Sequence, residues 1–267
     1  MRISERDKVF REIIEKIIGG TYYYTLNHAM KDLSVCEENY EYLKALLNDK
    51  RNRINAAYVL QDRYIPEKAQ ELFTLFSASD DSYIRRIAAD IGKECSIDLT
   101  EFFAEMDRRS KTTLENSECK IAFLAKYTEK YHVDISDNGE SAVIYNPVGE
   151  EHILFSYCGD EYTISFSFQH IHPYDQKDAE SWIDDVVSDE LLAIRFCKDE
   201  GVVMATQIHP SAIRKLTYES LRAELHHGNR ELYEFSDSFN VRSWSGEKDL
   251  DAQFVCVDGK VMIKAVG

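Results

Sequence analysis

The hydrophobic period of this chain changes after residue 131, from about 3.6 to 2, and few single features constrain a fold more. Before the change, apolar residues recur at helical spacing up to about Met106. After it they alternate, with turn residues between short apolar runs. Helices followed by strands predict an α+β chain: an all-α region over residues 1–110, then a mixed, mostly antiparallel sheet with a few helices over residues 111–267.

Charge divides the same way. Residues 1–110 carry 17 Lys+Arg against 20 Asp+Glu, a net of −3, and residues 111–267 carry 15 against 28, a net of −13. The whole chain stands at −16. Such an excess argues against DNA, RNA or an anionic membrane as ligand and favours a basic protein. The start is charged and carries no secretory apolar run, and no stretch is apolar enough to span a bilayer. Six scattered cysteines without a CxxC pair fit free thiols in a reducing cytoplasm. No cofactor is expected.

In the first half, Ser4 with Asp7 forms a capping-box pattern. Val9, Phe10, Ile13, Ile14, Ile17 and Ile18 then make one apolar helix face, and Gly19-Gly20 ends it. A second helical segment, Tyr22 to Leu33, places Leu26, Met30 and Leu33 together. Asp49-x3-Arg53-x2-Ala56-Ala57-x-Val59 then recurs 32 residues later as Asp81-x3-Arg85-x2-Ala88-Ala89-x-Ile91. Tyr40 and Leu43 map onto Leu72 and Leu75 under the same offset. Each unit reads as an apolar helix, an Asp-containing turn and a second helix whose paired alanines allow close approach. The Asp can cap that second helix, and the Arg one turn on can reach the Asp of the neighbouring unit. This pattern resembles HEAT-type repeats, with flanking helices at 4–18 and 98–107 as caps.

In the second half a linking helix is expected over 116–131, with Ile121, Leu124 and Tyr127 inward. Strands are expected at His132–Ser136, Ala142–Tyr145, Ile153–Tyr157 and Tyr162–Phe168, the last running on to His170-Ile171-His172. A helix over Asp175–Asp189 follows, with Trp182 on its apolar side. Strands at Leu191–Cys197 and Val202–Ile208, a helix near Tyr218–His226, and strands at Phe239–Ser243, Phe254–Val257 and Val261–Val266 complete one sheet. Asp258-Gly259 marks the final hairpin turn.

Candidate chemistry is sparse. His170 and His172 lie on one face of an extended segment and could chelate Zn²⁺ or Fe²⁺ with Asp175 or His209 as a third ligand, which would make a metal-dependent hydrolase the alternative reading. No nucleophile motif, P-loop, GxGxxG or HExxH is present. Cys158 and Cys197 lack a neighbouring His or Asp pair in sequence. His226-His227 before Gly228 reads as a helix C-cap. The acidic helix carries Asp178 and Glu180 early and Asp184, Asp185, Asp189 and Glu190 at its far end, where carboxylates oppose the helix dipole. A fold has no need of them there; they read either as a solvated face that keeps the protein soluble or as a negative patch that steers a cationic partner.

Tyr162–Phe168, His170-Ile171-His172-Pro173-Tyr174-Asp175, Ala179–Asp185 and Glu190–Lys198 with Asp199 and Gly201 together resemble small bacterial immunity proteins of polymorphic-toxin and contact-dependent inhibition systems. The resemblance implies a non-enzymatic protein that binds a cognate, basic toxin in the cytoplasm and occludes its active site. On that reading Asp178, Glu180, Asp184, Asp185, Asp189, Glu190, His170 and His172 face the partner. Trp244, in the polar segment Arg242–Gly246, is the expected exposed anchor and Trp182 the core residue. A general interaction scaffold, gripping through the helical half, is a third reading.

Overall fold

The computed structural model describes residues 3–18, 29–65, 67–116, 118–199, 201–215, 217–225 and 230–266. It is α+β, helices first and strands second, in two compact units, Met1–Arg109 and Ser110–Gly267. Among the described residues no helix is long and apolar enough to cross a membrane.

The first unit begins with α1 (Glu5–Ile18). The Asp7 amide donates to Ser4 Oγ at 3.0 Å, and the Ser4 hydroxyl donates to Asp7 Oδ2 at 2.9 Å. Asp7 is 2% exposed and also accepts from the Ser34 amide. Burial alone would raise its pKa, but the donors from Ser34 and Ser4 outweigh it and hold the carboxyl below the usual range. The expected apolar stripe is only partly buried. Ile14 is fully covered, while Val9 and Ile13 lie exposed. Gly19-Gly20 and most of the segment beginning at Tyr22 lie outside the described residues; Met30 and Leu33 are buried.

The 32-residue offset has a structural counterpart. Helices α2 (Glu37–Ala45) and α4 (Ala69–Ser77) are separated by that offset at both ends. Their partners are α3 (Arg53–Tyr64) and α5 (Ser82–Glu94), and α6 (Thr100–Leu114) follows. Ala56, Ala57, Ala88 and Ala89 are all fully buried, so each pair lies where a larger side chain would hold the helices apart. Asp81 caps α5 by accepting from the Tyr83 amide at 2.9 Å. Asp49 instead closes its turn, accepting from the Arg51 amide and from Asn52 Nδ2, and α3 has no side-chain cap.

Among its described residues the second unit holds two sheets, not the single mixed sheet expected, and every strand pair there is antiparallel. The linker also differs from its expected helix. Among its described residues only Ala122–Tyr127 is helical, as a 3-10 helix, although Ile121, Leu124 and Tyr127 do point inward. The first sheet is a meander of β1 (Val133–Ile135), β2 (Ser141–Ile144), β3 (Ile153–Cys158), β4 (Glu161–Phe166) and β5 (Gln169–Ile171). The expected long strand through His172 is broken at Ser167, whose φ of 53° reverses the chain and pairs Phe166 with Gln169. Helix α7 (Gln176–Val187) sets Ala179, Trp182, Ile183 and Val186 into the same core as Phe155, Ile164 and Phe166.

The second sheet has the order β10-β9-β8-β6-β7, from β6 (Leu192–Lys198), β7 (Gly201–Ile208), β8 (Ser238–Arg242), β9 (Leu250–Val257) and β10 (Lys260–Ala265). Strand β6 lies between β7 and β8 and is buried on both faces. Leu192, Ile194 and Phe196 enter the second core while Ala193 enters the first, so the apolar residues of β6 do not simply alternate. Short helices α8 (Ser211–Lys215), α9 (Tyr218–Glu224) and α10 (Arg230–Phe235) lie between β7 and β8. Leu221, Leu225 and Tyr233 complete the second core. His226, His227 and Gly228 lie outside the described residues.

Candidate interaction surface at the β5–α7 corner

The nine residues expected to meet a partner separate into three kinds. The exposed ones without a lysine partner are His170, His172, Asp178, Asp185 and Glu190. Strand β5 carries His170 opposite Ser165, and the His172 ring meets that of His170 edge-on at 5.3 Å between centroids. His172 Nδ1 lies 2.8 Å from Glu161 Oε1 and 3.4 Å from Thr163 Oγ1. Among the described residues no three His, Cys, Asp or Glu side chains converge as a metal-binding group. Asp178 and Asp185 lie seven residues, or nearly two turns, apart on the outer face of α7, and neither carboxylate takes part in an ion pair among the described residues. Glu190 has His209 Nε2 at 3.4 Å.

Glu180 and Asp184 are already engaged. Lys126 Nζ lies 2.9 Å from Glu180 Oε2 and 3.1 Å from Asp184 Oδ2. The Tyr127 hydroxyl donates to Asp184 Oδ1 at 2.8 Å. Gln176 first, and Lys126 second, hold the Glu180 carboxyl below its usual range. Lys126 thus offsets the repulsion between the helix dipole and the late carboxylates of α7.

Asp189 and Trp244 are buried, and both depart from expectation. Asp189 stops α7. At φ 56° it occupies the left-handed position after the helix, with its own amide donating to the Val186 carbonyl and the Glu190 amide to the Asp185 carbonyl. Its carboxylate accepts from the Ser245 amide at 3.1 Å and from the Ser245 hydroxyl. It is 7% exposed, its carboxylate turned to the Ser245 loop. Trp244 is 4% exposed, its ring against Tyr131 and Phe166. The polar residues around it bond within the loop and to its neighbours: Ser243 with Asp249, Ser245 with Asp189, Lys248 with the Asp189 carbonyl. The loop therefore looks polar in sequence while its indole points inward. Trp182 is buried as expected, its Nε1 donating to Gln207 at 2.9 Å.

The residue that does stand out was not singled out from the sequence. Tyr174 is 97% exposed, between buried Pro173 and the N-cap Asp175, whose carboxylate accepts from the Asp178 amide at 2.9 Å. The corner therefore offers a projecting phenol ring on a capped, fixed helix start, with the two imidazoles just before it in the chain and outward carboxylates just after. Its sequence signal was an aromatic that belongs neither to the alternation of β4 nor to the apolar stripe of α7. No family model, curated protein or solved structure matches the chain.

Proposed function

We propose that this chain is a non-enzymatic binding protein that captures a cationic protein on the β5–α7 corner, acting in the cytoplasm as an immunity protein against a basic toxin. The observation that carries the reading is Tyr174, 97% exposed on a surface flanked by Asp178 and Asp185. A monomeric fold gains nothing from a fully solvated aromatic ring, whereas tyrosine ranks among the side chains that dominate interface energies. The outward carboxylates, in a unit of net −13, supply the long-range attraction that speeds encounter with a basic surface. On this reading the helical unit is a pair of HEAT-like repeats with flanking helices, and it supports binding without chemistry.

The test pairs the purified chain with the product of the neighbouring reading frame and follows association by surface plasmon resonance across salt concentrations. Tyr174→Ala is expected to weaken the complex by about 30-fold, chiefly through faster dissociation. The combined change Asp178→Asn, Asp185→Asn and Glu190→Gln is expected to slow association and flatten its salt dependence. An unaltered affinity in Tyr174→Ala, together with association indifferent to salt, removes the corner from the interface.

A further inference from the structure

Strand β10 is the last strand of the second sheet, so the amides and carbonyls that point away from β9 have no strand partner among the described residues. Strand β8 covers β9 only from Leu250 to Gln253. The Phe254 amide still reaches the Asp237 carbonyl at 2.8 Å, and residues Val255–Val257 with the paired start of β10 run past β8 as a two-stranded ribbon. One face of β10 is seated, through Ile263, on the core around Phe254. The rest is open: Val257 is 48% exposed, Val261 40%, Met262 53% and Val266 51%. Ribbons of two strands are marginal alone, and an open edge with apolar side chains is a template for another strand.

Charge selects which strand. Lys260 and Lys264 flank Met262 on the same face of β10, four residues or about 13 Å apart. Both are exposed, and neither takes part in an ion pair among the described residues of a chain that carries 48 Asp+Glu. Two copies joined through β10 would crowd four lysines into one short ladder. The lysines that repel a second identical edge attract a strand with carboxylates at matching positions.

We propose that β10 is a strand-addition site for an extended segment of an acidic partner, with an acidic residue, an apolar residue and a second acidic residue at alternate positions. The apolar side chain lies over Met262, the carboxylates meet Lys260 and Lys264, and the backbone pairs with the outer edge of β10. This site is separate from the β5–α7 corner and has the opposite charge preference.

The experiment titrates the isotopically labelled full chain with the peptide TETVTET and its basic counterpart TKTVTKT, following amide resonances. Shifts are expected along β10 and at Val257 with the acidic peptide only. Lys260→Glu with Lys264→Glu, both at exposed positions, is expected to weaken TETVTET by about tenfold and to admit TKTVTKT. N-methylation of the peptide at Glu-Val-Glu or at the intervening threonines is expected to abolish binding in one phase and spare it in the other, because only alternate amides face β10. Three results overturn the proposal: no response of β10 to the acidic peptide, equal tolerance of both N-methylated forms, or a concentration-dependent dimer in sedimentation whose β10 resonances shift on dilution.

Discussion

Arg53 crosses from one helix pair to the next, its Nη2 2.8 Å from Oδ2 of Asp81, the carboxylate that caps α5. Its Nη1 lies 2.6 Å from Asp80 as well. The Asp–Arg element of the repeat is thus a tie between units. Both side chains are largely shielded from solvent, at 17% and 11% exposure. Asp81→Ala removes the cap and leaves the guanidinium without its better-buried partner, so a loss of about 2–3 kcal/mol is expected. Asp81→Asn keeps an acceptor for the Tyr83 amide and is expected to cost about half as much. Urea unfolding of both variants checks this. A loss below about 0.5 kcal/mol in Asp81→Ala would place the tie among ordinary surface pairs.

The acidic end of α7 divides into carboxylates that stabilise the fold and carboxylates that do not. Asp189→Ala loses the acceptor for Ser245 and puts alanine at φ 56°, for an expected cost of about 2–3 kcal/mol. Asp189→Gly relieves the backbone but still loses the acceptor, so it falls between alanine and wild type. Asp185→Asn, four residues earlier and outward, is expected to leave thermal stability unchanged. Calorimetric melting of the three variants separates the roles; equal melting temperatures for Asp189→Ala and Asp185→Asn would contradict the assignment.

Alkaline unfolding follows from buried phenols. Burial, above all, raises the pKa of Tyr40, Tyr127 and Tyr233, and hydrogen bonding to Asp184 raises Tyr127 further. A group whose folded pKa is raised binds its proton more tightly in the native state. Its contribution is complete below the ordinary tyrosine value of 10.0 and declines as pH rises beyond it. Each such tyrosine adds a slope of about 1.4 kcal/mol per pH unit in that window. The tyrosine contribution is therefore expected to be flat from neutral pH to about 10 and to drop steeply above. Tyr127→Phe, which cannot ionise, is expected to make the drop shallower, in denaturant melts at stepped pH. An identical pH profile in that variant would show Tyr127 to be accessible to hydroxide in the native state.

Local pattern carried the elements but not their joints. Period and turn residues located the helices of the repeat, the acid-capped α7 and the Asp258-Gly259 hairpin, because each depends on neighbours in sequence. The breaks that decide the site depend on something else. Ser167 and Asp189 adopt positive φ without being glycine, and only tertiary partners make that conformation worthwhile: pairing of β4 with β5 in one case, Ser245 in the other. The linker from 116 to 131 has helical apolar spacing, yet a short 3-10 helix suffices to bury Ile121, Leu124 and Tyr127 against the first sheet. Two sheets were read as one because alternation reports a strand's faces and says nothing of its neighbour. Within the candidate site, the exposed histidines and outward carboxylates were legible; the inward turn of Trp244 and the projection of Tyr174 were not.

The correction at Trp244 makes the sharpest prediction about a single side chain. Its polar loop suggests an exposed ring, but the indole lies in the core with Tyr131 at 5.4 Å and Phe166 at 6.0 Å between centroids. Asn146 is held by the Trp244 carbonyl, at 2.7 Å, so truncating the side chain leaves that bond intact and isolates the packing contribution. Trp244→Ala is expected to cost about 3–5 kcal/mol, and Trp244→Phe distinctly less because a ring still fills most of the space. Both indoles of the chain are buried, at 4% and 8% exposure. Tryptophan emission should therefore be blue-shifted and nearly immune to iodide quenching until the protein unfolds. Efficient quenching in native buffer, or a Trp244→Ala variant as stable as wild type, would return this ring to the surface.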